Sequence, residues 1–500
     1  MPWKKRYRLP SERAPTCEIL ETATVAAMKQ VGQRFLRLLI EACQPTEPAE
    51  TIPCRCGGTA AYVRHREGTV ITLVGQIRVS RAYYLCNRCH EGTYPLDEKL
   101  GFCAGALSAA LQEALAMTGV HLPFELASDL FERLAQVAIS DNGVREATER
   151  IGQERLEADE ALVEAAWDPQ RMTVPEGPLE VPKRLYGSVD ETSVRTEEGW
   201  RKPKLGSWYT TDDPPLDGPP EEWEPRAEAI SYYGDIAEAE AFGRLMYLTG
   251  LQRGAHRVEE LVFVADGAQW IWNLVEEHFP DAIQIVDWYH ATEYIWKVAH
   301  AVYGEGNDLA KAWAHKRLAE LWEGRVEEVI SACSIHVNPD QEDDPVQKAI
   351  TYFQNNRHRM RYSEFRVQDY QIGSGTIESG CKRVIGARLK QAGMTWTVEG
   401  ARQVIKARAM YFSGEWDDFC AQRPPPRRTY SRAVARQLVS APFRFLVQGF
   451  SEFKRRPGDS HLFGTGGSQK MARYGSLSVF LTSRSRVTVT WVVLCKALNF

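Results

Sequence analysis

The 500 residues carry 61 Lys and Arg against 66 Asp and Glu, a formal net charge of −5, and are 44% hydrophobic and 25% charged. That balance belongs to a globular chain of about two to four domains, and no run approaches the ~20 apolar residues that a membrane span needs. The net charge is silent on nucleic acid, because binding depends on local basic patches rather than on the sum.

The basic opening MPWKKRYRLP is followed at once by Ser11, Glu12 and Arg13 rather than an apolar stretch, so no secretory signal is predicted and the cytoplasm is the expected compartment. Residues 15–45 read as one helix, with Leu, Val and Ala at helical spacing. Short β-rich runs follow at 60–64, 68–73 and 76–84, separated by glycines. Residues 105–165 return to helix, and the highly charged stretch 145–164 reads as solvated or hinge-like. Strands are predicted at 184–194, 204–210 and 228–233, a helix at 237–249, then short buried strands at 261–265 and 282–286 around a helix at 270–279. Such alternation points to a mixed sheet with helices on its faces. Residues 291–370 read as wholly helical, and 376–390 as another helix opened by Gly373-Ser374-Gly375. After Pro424-Pro425-Pro426, residues 422–500 hold fourteen Lys and Arg against only Glu452 and Asp459. That tail reads either as a DNA-binding segment or as a disordered or non-ancestral extension.

Two motifs carry chemistry. Cys54-Arg55-Cys56 and Cys86-Asn87-Arg88-Cys89 flank the β-rich stretch. Two knuckles joined by strands suit a tetrahedral zinc ribbon, with four thiolates filling the shell and the zinc structural rather than catalytic. His90 is an alternative ligand. Arg55, Arg64, Arg66, Arg78, Arg81 and Arg88 make the module locally basic, which fits contact with a DNA backbone.

The second motif is a set of acids. Asp190 lies in the apolar run Leu185-Tyr186-Gly187-Ser188-Val189-Asp190, and Asp266 closes Leu261-Val262-Phe263-Val264-Ala265. A buried acid costs several kcal/mol unless it is paired or holds a metal. Glu378 lies in the first turn of the later helix. Plainer roles are open to each: a cap for Asp266, an i,i+4 partner of Lys382 for Glu378. Together, two Asp and a Glu suffice to hold two Mg²⁺ or Mn²⁺ ions for in-line phosphodiester chemistry.

The segments CRCGG, YYLCNRCHEGTYPLDEKLG, GSVDETSV, VFVADGAQWIWNLVEEHFPDAIQIVDWYH and GSGTIESGCKRVIGARLKQAGMTW span roughly residues 50–415. In them the chain resembles a bacterial insertion-sequence transposase of the Asp-Asp-Glu class, most similar to the ISKra-type family. The resemblance implies an α/β RNase H-like core carrying Asp190, Asp266 and Glu378 as metal ligands, interrupted by an all-helical insertion. It also implies a Cys- or acid-x-x-His element matched by Asp287-Trp288-Tyr289-His290, with His290 positioning the scissile phosphate or, alternatively, simply satisfied by Asp287.

The domain plan that results is a helical segment at 1–50, a zinc-ribbon-like DNA-binding module at 51–100 and a helical linker or DNA-binding region at 101–180. The catalytic core follows at 181–290 and 371–420 around the insertion at 291–370, with the basic tail at 421–500. Lys382, Arg383, Arg388 and Lys390 are candidate DNA contacts, while Trp270, Trp288 and Trp396 are expected mainly in the core. The expected partners are the element's terminal inverted repeats, target DNA and a second copy in a homodimer or higher oligomer. The expected activity is metal-dependent strand cleavage and strand transfer. The rival readings are a two-metal nuclease on the same fold and a domesticated, non-catalytic DNA-binding protein.

Overall fold

A computed structural model describes residues 16–101, 107–212, 225–339 and 343–423. The proposed tail at 421–500 therefore lies outside the described residues apart from its first three.

Helix Cys17–Ala42 opens the described chain. A four-stranded antiparallel sheet follows, in the order β1 (Thr51–Pro53), β2 (Thr59–Thr72), β3 (Gly75–Cys86) and β4 (Gly92–Thr93). The predicted runs at 60–64 and 68–73 are one strand, not two. Gly68, the first residue of the second run, lies within that strand, and a Cβ there would meet the Arg81 guanidinium at 2.2 Å. Glycine lets that side chain lie across the strand to reach Asp97, 2.5 Å away, in a buried ion pair.

Helices Ala109–His121, Phe124–Ala135 and Asp141–Trp167 come next. The last corrects the solvated or hinge-like reading of 145–164. Eight of its residues are buried, Asp159 among them, and its charges answer charges elsewhere: Arg155 meets Glu415 and Asp159 meets Lys406. Gly152 makes the packing possible, since a Cβ there would strike the Gln403 backbone at 2.0 Å.

The larger sheet comprises β5 (Arg184–Glu191), β8 (Lys204–Thr211), β9 (Ala227–Asp235), β10 (Glu260–Ala265) and β11 (Ile283–Val286), in the order β11-β10-β5-β8-β9. Strands β5, β8 and β9 pair antiparallel, while β10 and β11 run parallel to β5. Between β5 and β8 the chain forms a small hairpin, β6 (Val194–Thr196) with β7 (Gly199–Arg201). The predicted strand 184–194 thus stops at Glu191, and Val194 belongs to the hairpin.

Helices Ala239–Gln252 and Gln269–His278 supply the crossovers. The strands at the centre are near-continuous apolar runs because both faces are covered. Trp208, Phe263 and Trp272 are fully buried there, each worth about 1.5–3 kcal/mol against exposure. Gly187 on β5 is needed for that packing, as a Cβ would sit 2.6 Å from the Phe263 ring and 2.8 Å from Trp208.

Between Trp288 and Val367 the described elements are helices: Trp288–Tyr303, Asp308–Trp322, Val326–Ser334, Pro345–Asn356 and Tyr362–Val367. These helices share one hydrophobic core with the large sheet. Helix Gly375–Gly380 then continues through a π-helical turn, Cys381–Gly386, into Ala387–Leu389, and helices Val398–Phe412 and Trp416–Gln422 end the described chain. Among the described residues no helix is long and apolar enough to cross a membrane.

Candidate active site

The register of the parallel strands places the acids. Phe263 on β10 lies beside Gly187 on β5, and three residues further along each strand come Asp266 and Asp190. Ala265 lies beside Val286 on β11, and the next residues are Asp266 and Asp287, whose N–H donates to the Ala265 carbonyl at 2.8 Å. Three adjacent parallel strands therefore each deliver an aspartate at their carboxyl ends, the edge at which open α/β sheets bind ligands.

The three carboxylates have different surroundings. Asp190 accepts from the Glu191 N–H at 2.7 Å, and Asp266 from the Ala268 N–H at 2.9 Å. Burial pushes both above the usual carboxylate range, the charge of Asp266 adds to the effect on Asp190, and His290 opposes it for each. The Cys381 thiol also donates to Asp190. Asp287 is fully buried. Burial would raise it too, but contacts from His290 and Ser374 outweigh burial and hold it below its ordinary value.

Asp287 organises the segment that brings Glu378 in. Its Oδ1 accepts from the His290 N–H at 2.7 Å, capping helix Trp288–Tyr303, and its Oδ2 accepts from the Ser374 N–H. The Trp288 N–H donates to the Ile372 carbonyl at 2.9 Å. The turn before helix Gly375–Gly380 is thereby tied to the end of β11. Gly380 lets the helix sit on the sheet, since a Cβ would meet the Tyr232 ring at 2.6 Å.

His290 stands between the acids. Its Nδ1 is 3.4 Å from Asp287 Oδ1 and 3.9 Å from Glu378 Oε1. Contact with the Asp287 carboxylate pushes the imidazole up to about 9, against the opposing effect of burial. The ligand-type atoms of Asp287, His290 and Glu378 all lie within 4.8 Å of one another. Glu378 Oε2 is also 3.9 Å from Lys382 Nζ, the i,i+4 neighbour.

Sequence reasoning grouped Asp190, Asp266 and Glu378. Among the described residues the tight trio is instead Asp287, His290 and Glu378, with Asp190 and Asp266 within electrostatic reach of His290. Asp287 is the residue that reasoning undervalued, as a mere partner of His290. Its signal was available: an acid directly after a short apolar strand, the same pattern that singled out Asp266. The π-helical turn carries no such signal. Turns of that kind occur frequently at functional sites, and this one begins three residues after Glu378.

Of the basic candidates, Lys382 has an 81% exposed side chain. Lys390 reaches Thr192 and the Arg383 guanidinium covers the Phe412 ring. Arg388 is a correction: it is 1% exposed, donates to the Gly119 carbonyl and lies over the Phe124 and Trp396 rings. It is a packing strut between helices, out of reach of DNA. Trp270, Trp288 and Trp396 pack in or against the hydrophobic cores, as expected.

In the small sheet, Cys54, Cys56, Cys86 and Cys89 converge with all four sulfurs within 4.8 Å. Cys54 to Cys89 and Cys56 to Cys86 are each 3.6 Å. Zinc–sulfur bonds of about 2.3 Å in a tetrahedron set sulfurs about 3.8 Å apart, so the group fits zinc. Backbone N–H groups of Cys89 and Arg88 pull the Cys86 thiol down to about 6, while burial and the neighbouring thiols hold Cys54 and Cys89 up, so these sulfurs titrate as one group. Gly57 takes φ 77°, the left-handed turn that the tight first knuckle demands.

Residues 252–419 match the profile of an uncharacterised protein family, UPF0236. That stretch includes Asp266, Asp287, His290 and Glu378, but neither Asp190 nor the four cysteines. Among solved structures, the chain aligns with the strand transfer complex of the Drosophila P element transposase at 8% identity and a TM-score of 0.32, over 59% of this chain and 91% of that one. A likeness that remote bears on neither fold nor chemistry. No curated protein matches the chain.

Proposed function

We propose that the chain is an insertion-sequence DNA transposase of the Asp-Asp-Glu class, acting on the ends of its element by strand cleavage and strand transfer. The observation that carries this reading is the delivery of Asp190, Asp266 and Asp287 to one edge by three adjacent parallel strands, with the helix of Glu378 tied to the same edge through Asp287. A sheet of three antiparallel strands extended by two parallel ones supports an RNase H-like core, and the helical stretch between the second acid and Glu378 supports the insertion. The resemblance to ISKra-type transposases belongs to the same proposal.

The donor set suits a divalent cation. Asp190 and Asp266 are half-buried acids raised by desolvation, and among the described residues neither forms an ion pair with Lys or Arg. Hard carboxylate oxygens of this kind suit Mg²⁺ or Mn²⁺, and Asp190, Asp266 and Glu378 would hold them. When bound, such ions activate an attacking oxygen and stabilise the leaving one.

The chain's own residues do the rest. Asp287 fixes the turn that sets the position of Glu378 and holds His290 protonated near neutral pH. That places a positive imidazolium among the acids, where it can meet a scissile phosphate. Exposed Lys382, one turn beyond Glu378, offers a phosphate contact beside the cut. Arg383 and Lys390 are further contacts of the same kind. The zinc ribbon, with Arg55 and Arg88 at the knuckles, serves the DNA backbone away from the site.

The test uses DNA carrying the inverted repeats expected to flank the gene. Asp190→Asn, Asp266→Asn and Glu378→Gln should each lower Mg²⁺- or Mn²⁺-dependent cleavage by at least about 100-fold, with DNA binding retained. Undiminished cleavage by any one of them removes that acid from the site. Cleavage without end specificity would favour a nuclease.

A further inference from the structure

We propose that the outer face of helix Cys17–Ala42 is a self-association surface, on which the same helix of a second copy of this chain packs. The inference is independent of the catalytic reading.

The helix has 26 residues, none of them buried. One side leans on the small sheet: Leu36, Ile40 and Cys43 pack against its core, and Gln33 donates to the Val74 carbonyl at 2.8 Å. The other side is apolar and, among the described residues, uncovered. Thr24, Met28, Val31, Phe35, Leu38 and Ala42 follow one another at spacings of four and three, the alternation with which one helix meets another in a coiled coil. Met28 is 68% exposed and Leu38 64%. A water-facing side of a surface helix is normally charged; here the charged residues Arg34, Arg37 and Glu41 keep off the stripe, and Glu21 lies at its border.

Area and charge both point to a second copy. With Leu20 and Leu39 at its edges, the stripe exposes roughly 600 Å², at the upper end of the largest apolar patch on a monomer and about three quarters of the ~800 Å² per partner of a stable pair. A parallel pairing would set Glu21 against Glu21 of the second copy. An antiparallel pairing that overlaps the full helices sets Glu21 against Leu38, Thr24 against Phe35 and Met28 against Val31, with no like charges opposed. The antiparallel arrangement is therefore the one assigned. At about 39 Å, the helix is long enough for three heptads.

Sedimentation of the full chain without DNA, at micromolar concentration, tests this. The expected species has twice the 56.6 kDa mass of one chain, and Val31→Glu with Leu38→Glu should convert it to a monomer of unchanged helical content and zinc stoichiometry. Should that double variant fold poorly, Met28→Cys together with Val31→Cys gives a second readout: mild oxidation should link two chains, and Met28→Cys with Leu38→Cys should link far less. A wild-type monomer would overturn the proposal, whether the stripe were then free or covered by another segment of the same chain. So would a dimer that survives the double glutamate variant.

Discussion

Two groups of charge in this molecule, one buried and one half-buried, behave in opposite ways. In the first, Lys406, itself 2% exposed, donates to Asp159 at 2.8 Å and lies 3.0 Å from Asp235, which also receives Arg402 at 2.5 Å. Burial would push Asp235 up, yet Lys406 and Arg402 hold it below its ordinary value. In the second, at the strand edge, Asp190 and Asp266 are pushed up by burial, with only His290 and local hydrogen bonds in opposition. The first group closes on itself and joins helix Asp141–Trp167 to helix Val398–Phe412 and β9. The second is left electrostatically incomplete, as expected of a site that takes up cations. Burial alone does not separate structure from function; the sign of the imbalance does.

The closed group depends most on Lys406. Lys406→Met leaves Asp159 and Asp235 with one cation fewer between them and should cost about 3–5 kcal/mol in urea unfolding. A loss below 1 kcal/mol would mean that the network does not hold these elements together. Asp287→Asn should cost about 1–3 kcal/mol, because it weakens acceptance from Ser374 and His290, and should lower cleavage by displacing Glu378. If the stability changes and cleavage does not, the positioning role fails. Asp190→Asn should do the reverse, abolishing cleavage while leaving metal-free stability unchanged or higher by about 1 kcal/mol. A clear destabilisation would class Asp190 with Asp235.

The smallest effect is in pH. Because the folded value of Asp235 is depressed, its contribution is complete above its unfolded value near about 4 and is lost as pH falls through the folded value. Asp235→Asn should therefore flatten the decline of stability below about pH 4, as read by denaturant unfolding across a pH series. An unchanged acid limb would show that the carboxyl is not held low.

Much of this was legible in the chain. Strands β10 and β11 and the helices from Trp288 onward follow from apolar runs and helical spacing, and the two cysteine knuckles converge into one group of four. Three features were hidden, each for a physical reason. The break expected before Gly68 is absent because the role of this glycine, making room for Arg81, depends on a residue of the partner strand. Helix Asp141–Trp167 reads as solvated because charge is ordinarily external, and its partners Lys406 and Glu415 lie some 250 residues further along the chain. Arg388 reads as a DNA contact because it shares a helix with Lys382, while its burial depends on Phe124 and Gly119 from a distant helix pair. The acid site lies between these cases. Its members stand out one by one as acids in apolar runs, but which of them touch is settled by the parallel register and by the tie from Asp287 to Ser374.

The most direct measurement is an anomalous-difference map from crystals grown with Mn²⁺. The expected result is manganese bound by Asp190, Asp266 and Glu378 oxygens, with Asp287 and His290 beside it but unligated. Manganese held by Asp287, His290 and Glu378 alone would show that Asp190 and Asp266 are not ligands and that the strand edge does not form the metal site.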